Sequence, residues 1–166
     1  MKESIRQAII EAISSAPAMY SRLILLVGPS GSGKTHALKE FSIECGRKIL
    51  NVNLEMSKAL LELPIQRRES RVHRVFQDLI RDFLGNEDPQ TALVLLDNLE
   101  ILFDKDLKQD PLLLLQGVSR NTTIIASWNG LWTQKRLTFA ISGHPEYRFY
   151  DKIDAQIIEF TKEGEV

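Results

Sequence analysis

Residues 28–35 read Gly-Pro-Ser-Gly-Ser-Gly-Lys-Thr, which places three glycines, three hydroxyl side chains and a lysine within eight positions. The spacing is that of the phosphate-binding loop G-x-x-x-x-G-K-[ST]. Glycines let such a turn curl until successive main-chain N–H groups point inward. A helix starting there adds about half a positive charge. A polyphosphate is the ligand that suits this concavity. Lys34 is spaced to reach its outer phosphates, and the Thr35 hydroxyl to hold a divalent cation. Gly28, Pro29, Ser30, Gly31, Ser32, Gly33, Lys34, Thr35 and His36 are therefore the expected nucleotide-contacting residues, with ATP and Mg²⁺ as cofactors.

A metal-bound triphosphate also needs a carboxylate nearby. The apolar run "LVLLD" (93–97) ends in Asp97, where a strand end would open into the same crevice as the glycine loop. Asp97 and Thr35 are the expected metal-binding pair. The plainer alternative is an aspartate that only caps the next helix. Hydrolysis further requires a group that orients or deprotonates water. Glu100 follows Asp97 by three positions and falls near the same face if the chain turns helical there, so it is the first candidate base. An exposed glutamate with no role is the other reading.

These residues meet only if strands and helices alternate. Ile5, Ile9, Ala12 and Ile13 share one face of a first helix that Pro17 ends, and "RLILLV" (22–27) is a continuous apolar run of buried-strand type. Residues 34–45 read as a helix, 48–54 as a second strand, 55–63 and 68–84 as helices, and 91–97 as a third strand. Asp110-Pro111 open a helix to about Ser119, and 122–127 form a fourth strand. This order predicts an α/β three-layer α/β/α sandwich with a mainly parallel sheet, as one domain over 1–166. Only about eight residues separate Ser127 from the next strand candidate, "RLTFAI" (136–141), too few for a parallel crossover. An antiparallel C-terminal hairpin is expected there, and 146–160 should add one or two strands or a short helix.

A glycine loop after the first strand, with its acid ending the third, resembles the AAA+ family of P-loop ATPases. P-loop kinases commonly place that acid on the second strand, which here ends in "NVNLE", and no arginine-rich lid is visible. The resemblance makes Asp97 a Walker B aspartate. It also puts Asn98 where AAA+ proteins usually carry glutamate, and makes Asn129 of "SWNG" a sensor of the γ-phosphate, though Asn-Gly is also a common turn. Only 25 residues follow Ile141, so no α-helical lid, nor the arginine it brings, is expected. If 128–135 turn back at the nucleotide edge, Lys135 and Arg136 emerge where a neighbouring subunit could receive them, and Arg136 is the candidate in trans.

The segments "NVNLEMSKALLELP", "LLDNLEILF", "DPLLLLQGVSRN", "ASWNG" and "GHPEYRFYD" resemble the BrxF family of small P-loop proteins from type III BREX bacteriophage-exclusion systems. That resemblance implies antiviral defence beside other proteins of the system. Composition sets wider bounds. With 21 basic against 22 acidic residues, the chain lacks the positive field of an autonomous duplex-DNA binder, although "QRRESRVHR" and "KRLTF" keep a local DNA contact as an alternative. Cys45, the single cysteine, has no internal disulfide partner. No apolar run reaches membrane length, and the first residues lack a signal-peptide pattern, so a cytoplasmic location is expected. The reading is an ATPase that forms homo-oligomers or works with partners; a non-hydrolysing nucleotide switch or scaffold is the alternative.

Overall fold

The computed structural model describes residues 1–161. In chain order the elements are α1 (Glu3–Ser15), β1 (Leu23–Gly28), α2 (Lys34–Cys45), β2 (Ile49–Asn51), α3 (Val52–Leu61), α4 (Ile65–Leu84), β3 (Leu93–Asp97), α5 (Pro111–Val118), β4 (Thr123–Asn129), β5 (Trp132–Thr133), β6 (Arg136–Phe139), β7 (Arg148–Tyr150) and β8 (Gln156–Glu159). A five-stranded parallel sheet runs β2-β3-β4-β1-β8. All six residues of β1 are buried, because helices cover the sheet on both faces. Alternate side chains serve different cores. Leu23, Leu25 and Val27 share a cluster with Val52 and Met56 of α3, Val72, Phe76 and Ile80 of α4, and Leu112 and Leu115 of α5. Ile24 and Leu26 instead pack with Ile9 of α1 and Leu38 and Phe41 of α2. This is the expected three-layer α/β fold.

Local chemistry sets the element ends. Asn51 accepts a hydrogen bond from Leu54 N at 3.0 Å, so the chain leaves β2 after three residues and starts α3. The expected strand over 48–54 is therefore shortened to Ile49–Asn51. Asp110 caps α5 in the same way, accepting from Leu113 N at 3.1 Å, with Pro111 in the first turn. On α4, Val72, Phe76 and Ile80 are buried while Arg67, Arg71 and Arg74 are exposed, so the basic run faces solvent.

The C-terminal third differs from expectation in detail. The antiparallel hairpin is present, but β6 pairs with β5 and β7 in a separate three-stranded sheet rather than with β4. Residues 146–160 supply two strands, and β8 joins β1 in parallel as the fifth strand of the main sheet. Residues 130–155 are thus one crossover, long enough for parallel closure, built from a small sheet instead of a helix. Its anchor is aromatic. Trp128 meets Phe103 at 5.1 Å, Tyr150 at 5.9 Å and Phe139 at 6.0 Å between ring centroids, and its Nε1 donates to Thr138 O at 2.7 Å. Trp128 is therefore a core residue. Gly130 is the one position where the chain passes Thr138 without room for a side chain, since a Cβ there would lie 1.7 Å from Thr138 O. The two-residue turn of the hairpin puts Gln134 (φ 52°) and Lys135 (φ 60°) in left-handed backbone, which costs a non-glycine residue about 1 kcal/mol or more. Among the described residues, no helix is long and apolar enough to cross a membrane.

Candidate nucleotide-binding site

The glycine loop joins the C-terminal end of β1 to the first turn of α2. Gly33, at φ 94°, takes the left-handed conformation that turns the chain into the helix, and Lys34 and Thr35 are the first helical residues. No hydrogen bond occupies the main-chain N–H groups of Gly31, Gly33, Lys34 or Thr35 among the described residues. These orphan donors at a helix N-terminus form an anion cradle.

Lys34 is buried inside that cradle. Its Nζ donates to Gly28 O and Pro29 O, each at 2.7 Å, and to Ser32 Oγ at 3.3 Å. Loss of hydration pushes its pKa down from 10.5 to about 8, against the opposing pull of the Asp97 and Glu100 carboxylates. The consequence has a definite sign. The lysine's desolvation costs folding stability below pH 8, and that cost is relieved as pH rises from 8 to 10.5. A bound polyphosphate favours the ammonium, so binding above pH 8 must take up a proton. ATP affinity is expected to hold steady just below pH 8 and to fall by up to about tenfold per pH unit above it. Titrations in buffers of different protonation enthalpy check this through the proton uptake.

Thr35 faces Asp97. Its Oγ1 donates to Asp97 Oδ1 at 3.2 Å, and Ser127 Oγ of β4 donates to the same oxygen. Asp97 is buried, and its Oδ2 has no hydrogen-bond partner among the described residues. A hydroxyl oxygen and a free carboxylate oxygen beside a phosphate cradle are the hard ligands that suit Mg²⁺, which keeps much of its water shell. The residues present fit that ion. Ser127 went unforeseen, although a hydroxyl set after the apolar run Ile124–Ala126 of the strand "TIIASWN" was a usable signal.

Beyond Asp97 the chain reverses at Asn98, whose φ is 56°. Asn53 of α3 fixes that reversal: its N–H donates to Asn98 O at 2.8 Å, and its Oδ1 accepts from Ile101 N at 3.1 Å. The turn leads into a short 3-10 helix, Glu100–Phe103. Glu100 Oε1 then accepts from Asn129 Nδ2 at 2.8 Å. Asn129 ends β4 in register with Gly28, the first residue of the glycine loop. Two residues that the sequence nominates separately, Glu100 and Asn129, thus touch at the mouth of the site. Nothing in the sequence pointed to Asn53.

A cleft of about 650 Å³ adjoins the loop on its outer side, lined by Met1, Ile5, Gly33, His36, Ala37 and Phe160 among others. Phe160 N donates to Val27 O at 2.7 Å, which ties the end of β8 against the loop. His36 is exposed, with Nε2 3.5 Å from Glu40, and the Met1 ammonium pairs with the same carboxylate. These contributors from the chain's two ends carried no motif. Arg136 stands apart as the first residue of β6, paired through its backbone with Thr133, its side chain exposed and with no hydrogen bond or ion pair to the described residues.

The sequence model of the "ATPase family associated with various cellular activities (AAA)" matches residues 24–133, about two thirds of the chain. Among solved structures, that of C. elegans PCH-2 is similar at a TM-score of 0.45 and 18% identity. The alignment covers 96% of this chain and 42% of that one, so the chain spans less than half of that relative. No curated protein matches the chain.

Proposed function

The chain belongs to the AAA family of ATPases, and from that premise we propose that it binds ATP with Mg²⁺ at residues 28–36, hydrolyses it slowly, and serves a BREX-type phage-exclusion assembly in the bacterial cytoplasm. The observation that carries the ATPase part is the convergence of Lys34, Thr35, Asp97, Glu100 and Asn129 at one end of the parallel sheet. The defence part is supported by the likeness of the later segments to BrxF.

Each residue has a task that its geometry suits. The N–H groups of the loop and Lys34 hold the phosphates, while the cleft between α1 and α2 takes the base. Thr35 and Asp97 hold Mg²⁺, which when bound neutralises charge on the phosphate oxygens. Glu100 accepts the proton of the attacking water, and Asn129 aligns that carboxylate while reading the terminal phosphate. Among the described residues Lys34 is the cation whose charge couples to both Asp97 and Glu100, and on this reading transition-state charge is under-compensated within one chain. Arg136 from a second copy supplies the missing guanidinium.

Steady-state phosphate release measured across protein concentrations tests this reading, because turnover completed in trans rises faster than linearly. Arg136→Ala is expected to reduce turnover per chain about ten- to a hundredfold and leave ATP affinity unchanged, with neighbouring Lys135 covering part of a full guanidinium's effect. Unchanged turnover would remove Arg136 from the mechanism. Asn98, following Asp97 in place of the usual AAA+ glutamate, favours a second reading in which nucleotide only switches the chain between partner-binding states. Equal partner affinity in the ATP and ADP states would count against that switch.

A further inference from the structure

We propose that Ser127 is a positioning residue for the cation, holding the Asp97 carboxylate so that its second oxygen faces the Mg²⁺ shell. This rests on the reading of the site as an ATP·Mg²⁺ site. The register makes the contact obligatory. Leu96 pairs with Ala126, so Asp97 and Ser127 lie side by side at the ends of β3 and β4, and Ser127 is also in register with Leu26 of the loop-bearing strand. Both side chains are buried, at 5% and 8% exposure, where an ionised carboxylate needs hydrogen-bond donors.

The two oxygens of Asp97 divide the work. Oδ1 accepts from Thr35 and from Ser127, whereas Oδ2 accepts from no described residue. Thr35 is a ligand in its own right, and once drawn to the cation it is a less constant support. The Ser127 hydroxyl has no competing task, since its one hydrogen bond as donor among the described residues is the one to Asp97. The strand itself does not ask for a hydroxyl here. Residues 124–126 are Ile, Ile and Ala, fully buried, and Trp128 on the next position turns into the aromatic cluster. An alanine would satisfy the packing, so the hydroxyl is there for the carboxylate.

The test is a calorimetric titration of ATP into the full chain at a series of free Mg²⁺ concentrations, including none. For Ser127→Ala, the Mg²⁺ concentration that gives half the maximal enhancement of ATP binding should rise about tenfold or more, as outer-shell partners of metal ligands typically require. Mg²⁺-free ATP affinity should stay unchanged, and Ser127→Thr, which keeps the hydroxyl, should restore the original midpoint. A merely structural role would lower Mg²⁺-free affinity as well, and that pattern would overturn the proposal. So would an Ala midpoint equal to the wild-type one. If Mg²⁺ does not enhance ATP binding even in the wild-type chain, the ATP·Mg²⁺ reading falls with it.

Discussion

Lys34→Ala should weaken ATP binding by about a hundred- to ten-thousandfold and abolish measurable turnover at ordinary nucleotide concentrations. The ammonium sits inside the loop, within 2.7 Å of two of its carbonyls, at the point where four main-chain N–H groups have no partner among the described residues. Exchanging those carbonyls for phosphate oxygens gives two or three charge-assisted hydrogen bonds, each worth about 1.5–3 kcal/mol. The fold should survive the change. Burial already disfavours the charged lysine, so the variant loses little stability and its melting temperature should stay close to that of the unaltered chain. Lys34→Arg keeps the charge but not the compact shape, and should rescue little. Affinity within about threefold of wild type in the alanine variant would mean that polyphosphate is held elsewhere.

Glu100→Gln should reduce phosphate release by about 10²–10⁴-fold while changing ATP affinity by no more than about threefold. Glutamine retains an oxygen that accepts from Asn129 Nδ2, so the 2.8 Å contact and the 3-10 helix that carries it are preserved. The capacity to take a proton from water is lost. The comparison isolates chemistry from binding. Single-turnover measurement checks it, and a variant that releases phosphate at the wild-type rate would assign the base elsewhere or leave the switch reading in its place.

Much of this was legible in the chain because local signals and packing agree. The eight residues of the glycine loop, the continuous apolar runs of β1, β3 and β4, and the Asp110-Pro111 helix start each specify their own geometry. Glu100 was found by helical spacing, and a tight 3-10 turn delivers it. What was missed depends on contacts distant in sequence. β8 belongs to the main sheet only because β1 offers it an edge, and 26 residues of unrelated pattern separate it from β4. Asn53 acts on the turn at Asn98 from another layer, and Ser127 on Asp97 from a neighbouring strand. The extent of β2 was misjudged because strand propensity and a helix cap compete at Asn51, and the cap wins.

The small antiparallel sheet occupies the crossover from β4 to β8 and connects to the chemistry through Trp128. That ring contacts Phe103, at the end of the helix bearing Glu100, and Tyr150 of β7, and it immediately precedes Asn129. Arg136 and the strained Gln134-Lys135 turn lie on the same unit. We propose that this packed unit would carry a change at Glu100 or Asn129 to the surface that meets a second copy.

The most direct test is a calorimetric titration of the folded chain with ATP in the presence of Mg²⁺. We expect one ATP per chain, weaker binding when Mg²⁺ is withheld, and no heat from the Lys34→Ala variant under the same conditions. A well-folded chain that gives no heat with ATP, ADP or any guanosine polyphosphate would contradict the assignment of residues 28–36 as a nucleotide site.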